Sequence, residues 1–333
     1  MNILVTGGAG YIGSHTCITL LELGHRVIIV DNLSNSNLST IKKIKEITRK
    51  DVDFYLIDIT IEKDLIDIFE RHSIDGVIHF AGYKSIGEST EKPLQYYYNN
   101  VCSTINLAKL CLNYNVTRFI FSSSATVYGD NNSPFNETMK LLPSTNPYGE
   151  TKVMGEKILL DIAKVNKNFK VSILRYFNPV GAHPSGLIGE EPNSIPNNLM
   201  PFICKVAKGE YEMLDIYGSD YPTRDGTGVR DYIHVMDLAK GHVAALKNQK
   251  DYVGIYNLGT GQGTSVLELI KTFEKVNGVS IPYKFVERRQ GDLAICYADV
   301  SKAYRELNWK NEYNISDMCR HTWRFVTGSP NIE

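Results

Sequence analysis

The chain has 333 residues, 43% hydrophobic and 22% charged, with a net charge of −1. That length suits one large α/β domain plus a smaller one. The even charge leaves no footprint for nucleic acid or an anionic membrane, and no apolar run approaches the ~20 residues that span a bilayer, so a small-molecule partner is expected.

The chain runs straight into a predicted strand with no charged n-region or cleavage site, so no leader is expected. Short β-branched runs then alternate with amphipathic stretches through the first half. Strands are predicted at 2–5, 26–30, 52–57, 76–80, 118–122 and 171–175, each brief and apolar as for strands buried on both faces. Helix-length segments between them include 93–113 and 147–165, the second opened by Pro147, whose missing N–H costs nothing there. The alternation predicts a Rossmann-like doubly wound parallel sheet over 1–178. Residues 179–230 are rich in Gly, Pro and Asn and too long for a passive loop, so they are expected to cap the sheet's carboxyl edge. Helices at 235–246 and 265–276 bracket a strand at 254–257, and a last helix is expected at 314–326. Residues 179–333 thus read as mainly a smaller α/β substrate-binding domain, with a segment near 229–260 returning to the main sheet.

The six cysteines make no C-x-x-C pair and no zinc spacing, so no metal is expected and a reducing cytoplasm is the simplest compartment.

The first strand-to-helix turn reads Gly7-Gly8-Ala9-Gly10-Tyr11-Ile12-Gly13. Such a turn brings backbone N–H groups and a helix N-terminus to a pyrophosphate. The spacing is G-x-x-G-x-x-G, and a glycine loop alone is weak. Asp31 closes the next strand, where an acid accepts bonds from both adenosine ribose hydroxyls and repels a 2′-phosphate, which favours NAD. Asp58 closes the third strand and is a candidate for the adenine amine.

Tyr148 and Lys152 lie four residues apart and share a helical face. An unperturbed tyrosine, with a pKa of about 10, is a poor base at pH 7, and a nearby lysine cation favours its phenolate. Tyr148 then takes a proton from a hydroxyl while NAD takes the hydride. Upstream, Ser122-Ser123-Ser124-Ala125-Thr126 ends a strand where sheet ligands bind, which makes Ser124 and Thr126 candidates to bond the reacting hydroxyl.

Together these features resemble the extended short-chain dehydrogenase/reductases. Further stretches are similar to the UDP-glucose 4-epimerase family over essentially the whole chain: Asn99-Asn100-Val101, Arg175-Tyr176-Phe177-Asn178-Pro179-Val180-Gly181-Ala182, Pro196-Asn197-Asn198-Leu199-Met200-Pro201 and Asp225-Gly226-Thr227-Gly228-Val229-Arg230-Asp231-Tyr232-Ile233-His234-Val235. The resemblance implies interconversion of UDP-galactose and UDP-glucose, in galactose metabolism, with NAD tightly held through turnover. Tyr148, Lys152 and Ser124 would be catalytic: the 4-hydroxyl is oxidised, the 4-keto sugar turns about its diphosphate, and hydride returns to the other face. NAD contacts would fall at Gly7, Gly10, Tyr11, Ile12 and Gly13, at Asp31, Asn32, Leu33, Ser34, Asn35 and Ser36, at Asp58 and Ile59, at Phe80, Ala81, Gly82, Lys84 and Asn99, and at Ser124, Tyr148, Lys152 and Phe177. Substrate contacts would fall at Thr126, Asn178, Asn198, Leu199, Tyr217 (stacked on uracil), Arg230, Tyr232, Arg289, Asp292 and Cys296. A homodimer through 93–113 and 147–165 is also implied. Related dehydratases carry an Asp-Glu pair where this chain has Ala125-Thr126, so the acid and base for eliminating water are missing.

Cys296 stands where epimerases restricted to glucose and galactose place a tyrosine. A small residue there leaves room for a 2-acetamido group, so the UDP-N-acetylglucosamine/UDP-N-acetylgalactosamine pair is an expected second substrate. The alternative is a one-residue slip that puts Tyr297 in the space and leaves Cys296 a buried thiol.

Overall fold

Strands that are apolar on both faces need cover on both, and helices supply it here. The computed structural model describes residues 1–191, 198–248, 252–289 and 291–328. Its first half runs β1 (Asn2–Thr6), α1 (Tyr11–Glu22), β2 (Arg26–Asp31), α2 (Ser39–Thr48), β3 (Asp53–Leu56), α3 (Glu62–Arg71), β4 (Gly76–His79), α4 (Ile86–Glu91), α5 (Pro93–Asn113), β5 (Arg118–Ser124), α6 (Pro147–Val165) and β6 (Lys170–Tyr176). Its second half runs β7 (Asn178–Val180), α7 (Leu199–Ala207), β8 (Leu214–Tyr217), β9 (Val229–Arg230), β10 (Tyr232–His234), α8 (Val235–Lys247), β11 (Val253–Leu258), β12 (Thr264–Ser265), α9 (Val266–Asn277), β13 (Tyr283–Val286), β14 (Ile295–Cys296), α10 (Ser301–Leu307) and α11 (Ile315–Thr327).

The central sheet has seven strands, all parallel, in the order β3-β2-β1-β4-β5-β6-β11. The order reverses between β1 and β4, and ligands of such sheets bind outside the carboxyl ends at that switch point. The last strand of the sheet comes from late in the chain: β11 pairs with β6 from Val253↔Val171 to Leu258↔Tyr176. One face is covered by α1 and α8, where Cys17, Ile18 and Leu21 share a buried cluster with Leu238, Val243 and Leu246. The other is covered by α3, α5 and α6, through Leu65, Phe69, Leu107, Leu110, Leu159 and Ala163. A third cluster, with Met200, Ile203, Ile216, Phe273 and Met318, packs α7, β8, α9 and α11 together. No helix among the described residues is long and apolar enough to cross a membrane.

Two differences from the expected elements bear on the site. Strands β5 and β6 run on to Ser124 and Tyr176, because their pairing continues through Ser124↔Tyr176. The 179–230 stretch also holds β7, α7, β8 and β9, short elements whose two- to nine-residue lengths give little periodic signal.

A buried ion pair fastens α6 to the sheet. Glu156 on α6 accepts bonds of 2.9 and 2.6 Å from Arg175 on β6, and one of 2.5 Å from Ser123 on β5. All three side chains are buried. Replacing one partner leaves an uncompensated buried charge, which typically costs ~3–5 kcal/mol. The isosteric Glu156→Gln is therefore expected to lose about that much in urea unfolding; a loss under about 1 kcal/mol would show that the pair does not fasten the helix.

Candidate functional site

The glycine loop packs tightly against its own backbone and against the turn after β4. At Gly13 a Cβ would lie 2.2 Å from the Gly7 carbonyl oxygen, and at Gly7, whose φ is +70°, one would lie 2.7 Å from the Ala81 nitrogen. Both contacts are with backbone that cannot yield, so these two positions must stay bare. At Gly10 the nearest approach is a looser 3.2 Å. Gly10 caps α1 without a side chain, unlike Asn146 on α6 or Ser265 on α9. Its first N–H groups thus stay available to an anion. Ile12 packs against the sheet core, and Tyr11 donates from its hydroxyl to the Gly181 carbonyl at 2.7 Å, joining the loop to the chain beyond β7.

Asp31 stands beside this loop with its carboxylate fixed. It accepts from the Ala9 amide at 3.0 Å and from the Leu33 amide and Ser36 hydroxyl, both at 2.9 Å. Asn32 donates to Asp58 at 3.2 Å and accepts from the Ser34 amide at 3.1 Å, so β2 and β3 are tied where they end. Leu33 takes the left-handed conformation at φ 57°, and Ser34 and Asn35 are exposed. Burial raises the Asp58 carboxyl, but bonds from Thr60 and Asn32 outweigh it and the net shift is downward. Ile59 is buried after it, its carbonyl accepting from Asn106 at 3.2 Å.

Beyond β4, the amides of Phe80 and Ala81 both donate to the Thr6 carbonyl, at 3.0 and 3.2 Å. Gly82 passes close to Asn100, whose buried amide accepts from the Tyr83 N–H at 2.8 Å and donates to Thr151 on α6 at 3.0 Å. Asn99 donates to the same Asn100 oxygen at 3.0 Å. Asn100, not Asn99, is thus the brace between this loop and α6. Phe177 is buried, with its ring 6.1 Å from that of Phe135.

Ser124, Tyr148 and Lys152 come together from two elements. Ser124 ends β5 and its hydroxyl accepts from the Thr126 amide at 3.3 Å, capping a 3₁₀ turn at Ala125–Tyr128. Tyr148 lies in the first turn of α6, held by the Asn146 cap, which accepts from the Gly149 amide at 2.8 Å. Lys152 follows one turn later, with its ammonium 5.9 Å from the Tyr148 ring and 5.2 Å from the Phe121 ring. That ammonium donates to the Ser122 carbonyl at 2.8 Å. Burial pushes Lys152 down to about 8, against the opposing charge of Glu156. Burial also raises the Tyr148 phenol, against a hydrogen bond with Ser124. The pair shares a face as expected, but in the protein alone desolvation governs the phenol, and Lys152 does not offset it. His79, below them, is pushed to about 3 by burial and by Lys152, and so stays neutral between Thr6 and Thr104.

The other predicted residues lie on several separate elements. Thr126 has a buried hydroxyl with no partner among the described residues, 3.4 Å from where a Cβ on Gly149 would stand. Asn178 donates its amide to the Asp231 carbonyl at 3.0 Å. Arg230 donates to the carbonyls of Val229 and Leu293 at 2.9 and 2.8 Å and faces Asp292 at 3.8 Å. Tyr217 is partly exposed at the end of β8, with the Arg289 guanidinium 3.8 Å from its ring centre. Leu199 opens α7 behind Asn198, and Tyr232 is buried in the apolar cluster of that helix. Pro196 and Asn197 of the 196–201 motif lie outside the described residues. Cys296 packs against the buried cluster that holds Val127 and Phe177, and the Tyr297 ring lies beside Gly263.

Lys84, expected at the cofactor, pairs with Glu190 at 3.1 Å, and the same Glu190 oxygen accepts from Asn198 at 2.7 Å. One carboxylate therefore links a cofactor candidate to a substrate candidate. No local pattern marks Glu190 in the sequence. Asp231 is a second such residue: its buried carboxylate gathers Thr260, Gly261 and Ala298 and braces β9 and β14 against β11's exit. Among the described residues no three His, Cys, Asp or Glu side chains are grouped to hold a metal.

Residues 3–259 match the NAD dependent epimerase/dehydratase family. The chain is 52% identical to the UDP-glucose 4-epimerase of Bacillus subtilis over 334 residues, 99% of this chain and 98% of that protein. It superposes on the crystal structure of UDP-glucose 4-epimerase from Bifidobacterium longum, in complex with NAD+ and UDP, with a TM-score of 0.95 at 50% identity, covering 99% of each chain. On the UDP-Glc/GlcNAc 4-epimerase of Campylobacter jejuni it scores 0.86 at 36% identity, covering 98% of this chain and 99% of that one.

The depressed Lys152 has a measurable sign. Unfolded, a lysine keeps its proton to about pH 10.4; folded, burial releases it near 8. Between those values the unfolded state binds more protons, so stability rises with pH; below them the cost of burying the charge is present in full. Wild type is expected to gain roughly 3 kcal/mol on Lys152→Met as pH climbs through that window, read from urea unfolding of both proteins. A flat difference would sink the assignment.

Proposed function

Because the chain belongs to the NAD dependent epimerase/dehydratase family and, within it, to the UDP-glucose 4-epimerases, we propose that it interconverts UDP-galactose and UDP-glucose using Tyr148, Lys152 and Ser124. The observation that carries this reading is their convergence from β5 and α6 at the sheet's carboxyl edge, close to the switch point where the bare glycine loop opens. Gly7 to Gly13 and Asp31 hold NAD, with Lys152 at its nicotinamide ribose. When bound, NAD would supply a hydride acceptor and donor for sugar C4 and the positive charge of its oxidised ring.

The residues divide the remaining work. Tyr148 takes the proton of the 4-hydroxyl and later returns it, with Ser124 relaying through their hydrogen bond. Burial alone holds the phenol protonated, so ionisation at neutral pH depends on positive charge from Lys152 and the bound cofactor. Arg230 and Arg289 grip the diphosphate as charge-assisted forks. A sugar held by that handle can turn and present either face to the same base. Glu190 keeps Lys84 and Asn198 in register across the two halves.

Three further parts belong to this proposal. Residues 1–178 with a return near 229–260 form the NAD domain, and 179–333 mainly the UDP-sugar domain, a division supported by the pairing of β11 with β6. A homodimer is supported by Leu94, Tyr98 and Ile105, which stand exposed along one face of α5. A cytoplasmic location is supported by six cysteines that form no disulfide.

The N-acetylated pair is a second substrate in this reading, supported by the small Cys296 side chain on the Phe177 side of β14. Purified protein with no added NAD is expected to convert UDP-galactose into a product of equal mass. Tyr148→Phe is expected to cut kcat by roughly 10²–10⁴; an unchanged rate would refute the assigned base. Cys296→Tyr is expected to abolish turnover of UDP-N-acetylgalactosamine while sparing UDP-galactose. If the wild-type enzyme leaves the N-acetylated pair untouched, the pocket reading fails.

A further inference from the structure

The ring of Tyr217, the residue assigned to uracil, carries a guanidinium on one face. Tyr217 ends β8 with 38% of its surface exposed, and the Arg289 guanidinium lies 3.8 Å from its ring centre. That spacing is direct stacking contact, and a nucleobase cannot enter between the two. The neighbouring Arg288 sits on the Tyr221 ring at 4.2 Å, and Asp220 anchors it through bonds of 2.7 Å to the carboxylate and 2.6 Å to the carbonyl. Arg289 has no such anchor among the described residues. Of the two adjacent arginines, Arg288 is tied down on the Tyr221 ring, whereas among the described residues the Arg289 side chain is held by the Tyr217 ring alone.

We infer, on the reading that this site takes a UDP-sugar, that Arg289 exchanges between the Tyr217 ring and the diphosphate of the ligand, so that phosphate binding uncovers the ring for uracil. The magnitudes allow the exchange. A cation–π contact at an exposed site is worth a factor of about two to five in an equilibrium. Charge-assisted bonds from a guanidinium to phosphate are worth about tenfold or more. A diphosphate therefore draws Arg289 off the ring, whereas a nucleoside without phosphate must displace it uncompensated. The base and the phosphates are then recognised jointly, and the phosphates act first. Arg289 serves as a specificity device as well as a phosphate ligand.

The test compares UDP and uridine on the NAD-loaded enzyme, wild type against Arg289→Ala and Arg289→Gln, by calorimetry or competitive inhibition. A residue that only binds phosphate would weaken UDP in the variants and leave uridine unchanged. The exchange predicts opposite signs: UDP weaker by about tenfold or more, uridine tighter by about two- to fivefold. Tyr217→Leu in the Arg289→Ala background is expected to remove the gain for uridine. Uridine affinity that is unchanged or lower in both Arg289 variants overturns the inference while UDP binding by the wild type stands. Absence of UDP binding by the wild type overturns the substrate reading and the inference with it.

Discussion

The candidate site hangs on α6, and α6 hangs on Glu156. The carboxylate sits one helical turn beyond Lys152 and two beyond Tyr148 and is gripped by Arg175 and Ser123 from adjacent strands. Because the contact is buried, it has one geometry rather than several. It fixes the rotation and depth of the helix, which aims the phenol and the ammonium toward the carboxyl edge. Its charge also opposes the fall of the Lys152 pKa. Structure and electrostatics therefore meet in one side chain that touches neither proposed ligand.

Asn100 completes the fastening from the other side. Its amide joins the backbone after β4 to Thr151, whose hydroxyl donates to the Tyr148 carbonyl at 2.7 Å. The loop that borders the dinucleotide and the helix that bears the base are thus a single hydrogen-bonded unit. Across the cleft, Glu190 makes the corresponding link to the sugar side through Lys84 and Asn198.

Much of this was legible in the sequence, and what was legible had a physical signature. The long helices at 93–113 and 147–165 and the buried strands follow from periodicity and β-branching, and the glycine loop and Asp31 follow from the steric and charge demands of a dinucleotide. Glu156, Asn100, Glu190 and Asp231 were not legible as braces, because their partners lie far away in sequence and only the fold brings them together. The Lys152–Tyr148 relation was half legible. Spacing predicts a shared face, but the balance between attraction and desolvation depends on burial, which spacing does not contain. The surroundings of Cys296 were not legible either, because the pairing of β14 with β9 joins segments more than sixty residues apart.

The return of β11 to β6 also bears on how the chain is made. β6 pairs with β5 on one side and with β11 on the other, yet the whole of 177–252 is synthesised between them. At roughly 5–20 residues per second, the ribosome leaves β6 as an open sheet edge for several seconds. Such an edge, rich in apolar residues, is a template for pairing with another chain. The last sheet position is therefore filled late by design of the topology, and the nascent protein must keep that edge covered, by its own emerging second half or by a chaperone, until Val253 arrives.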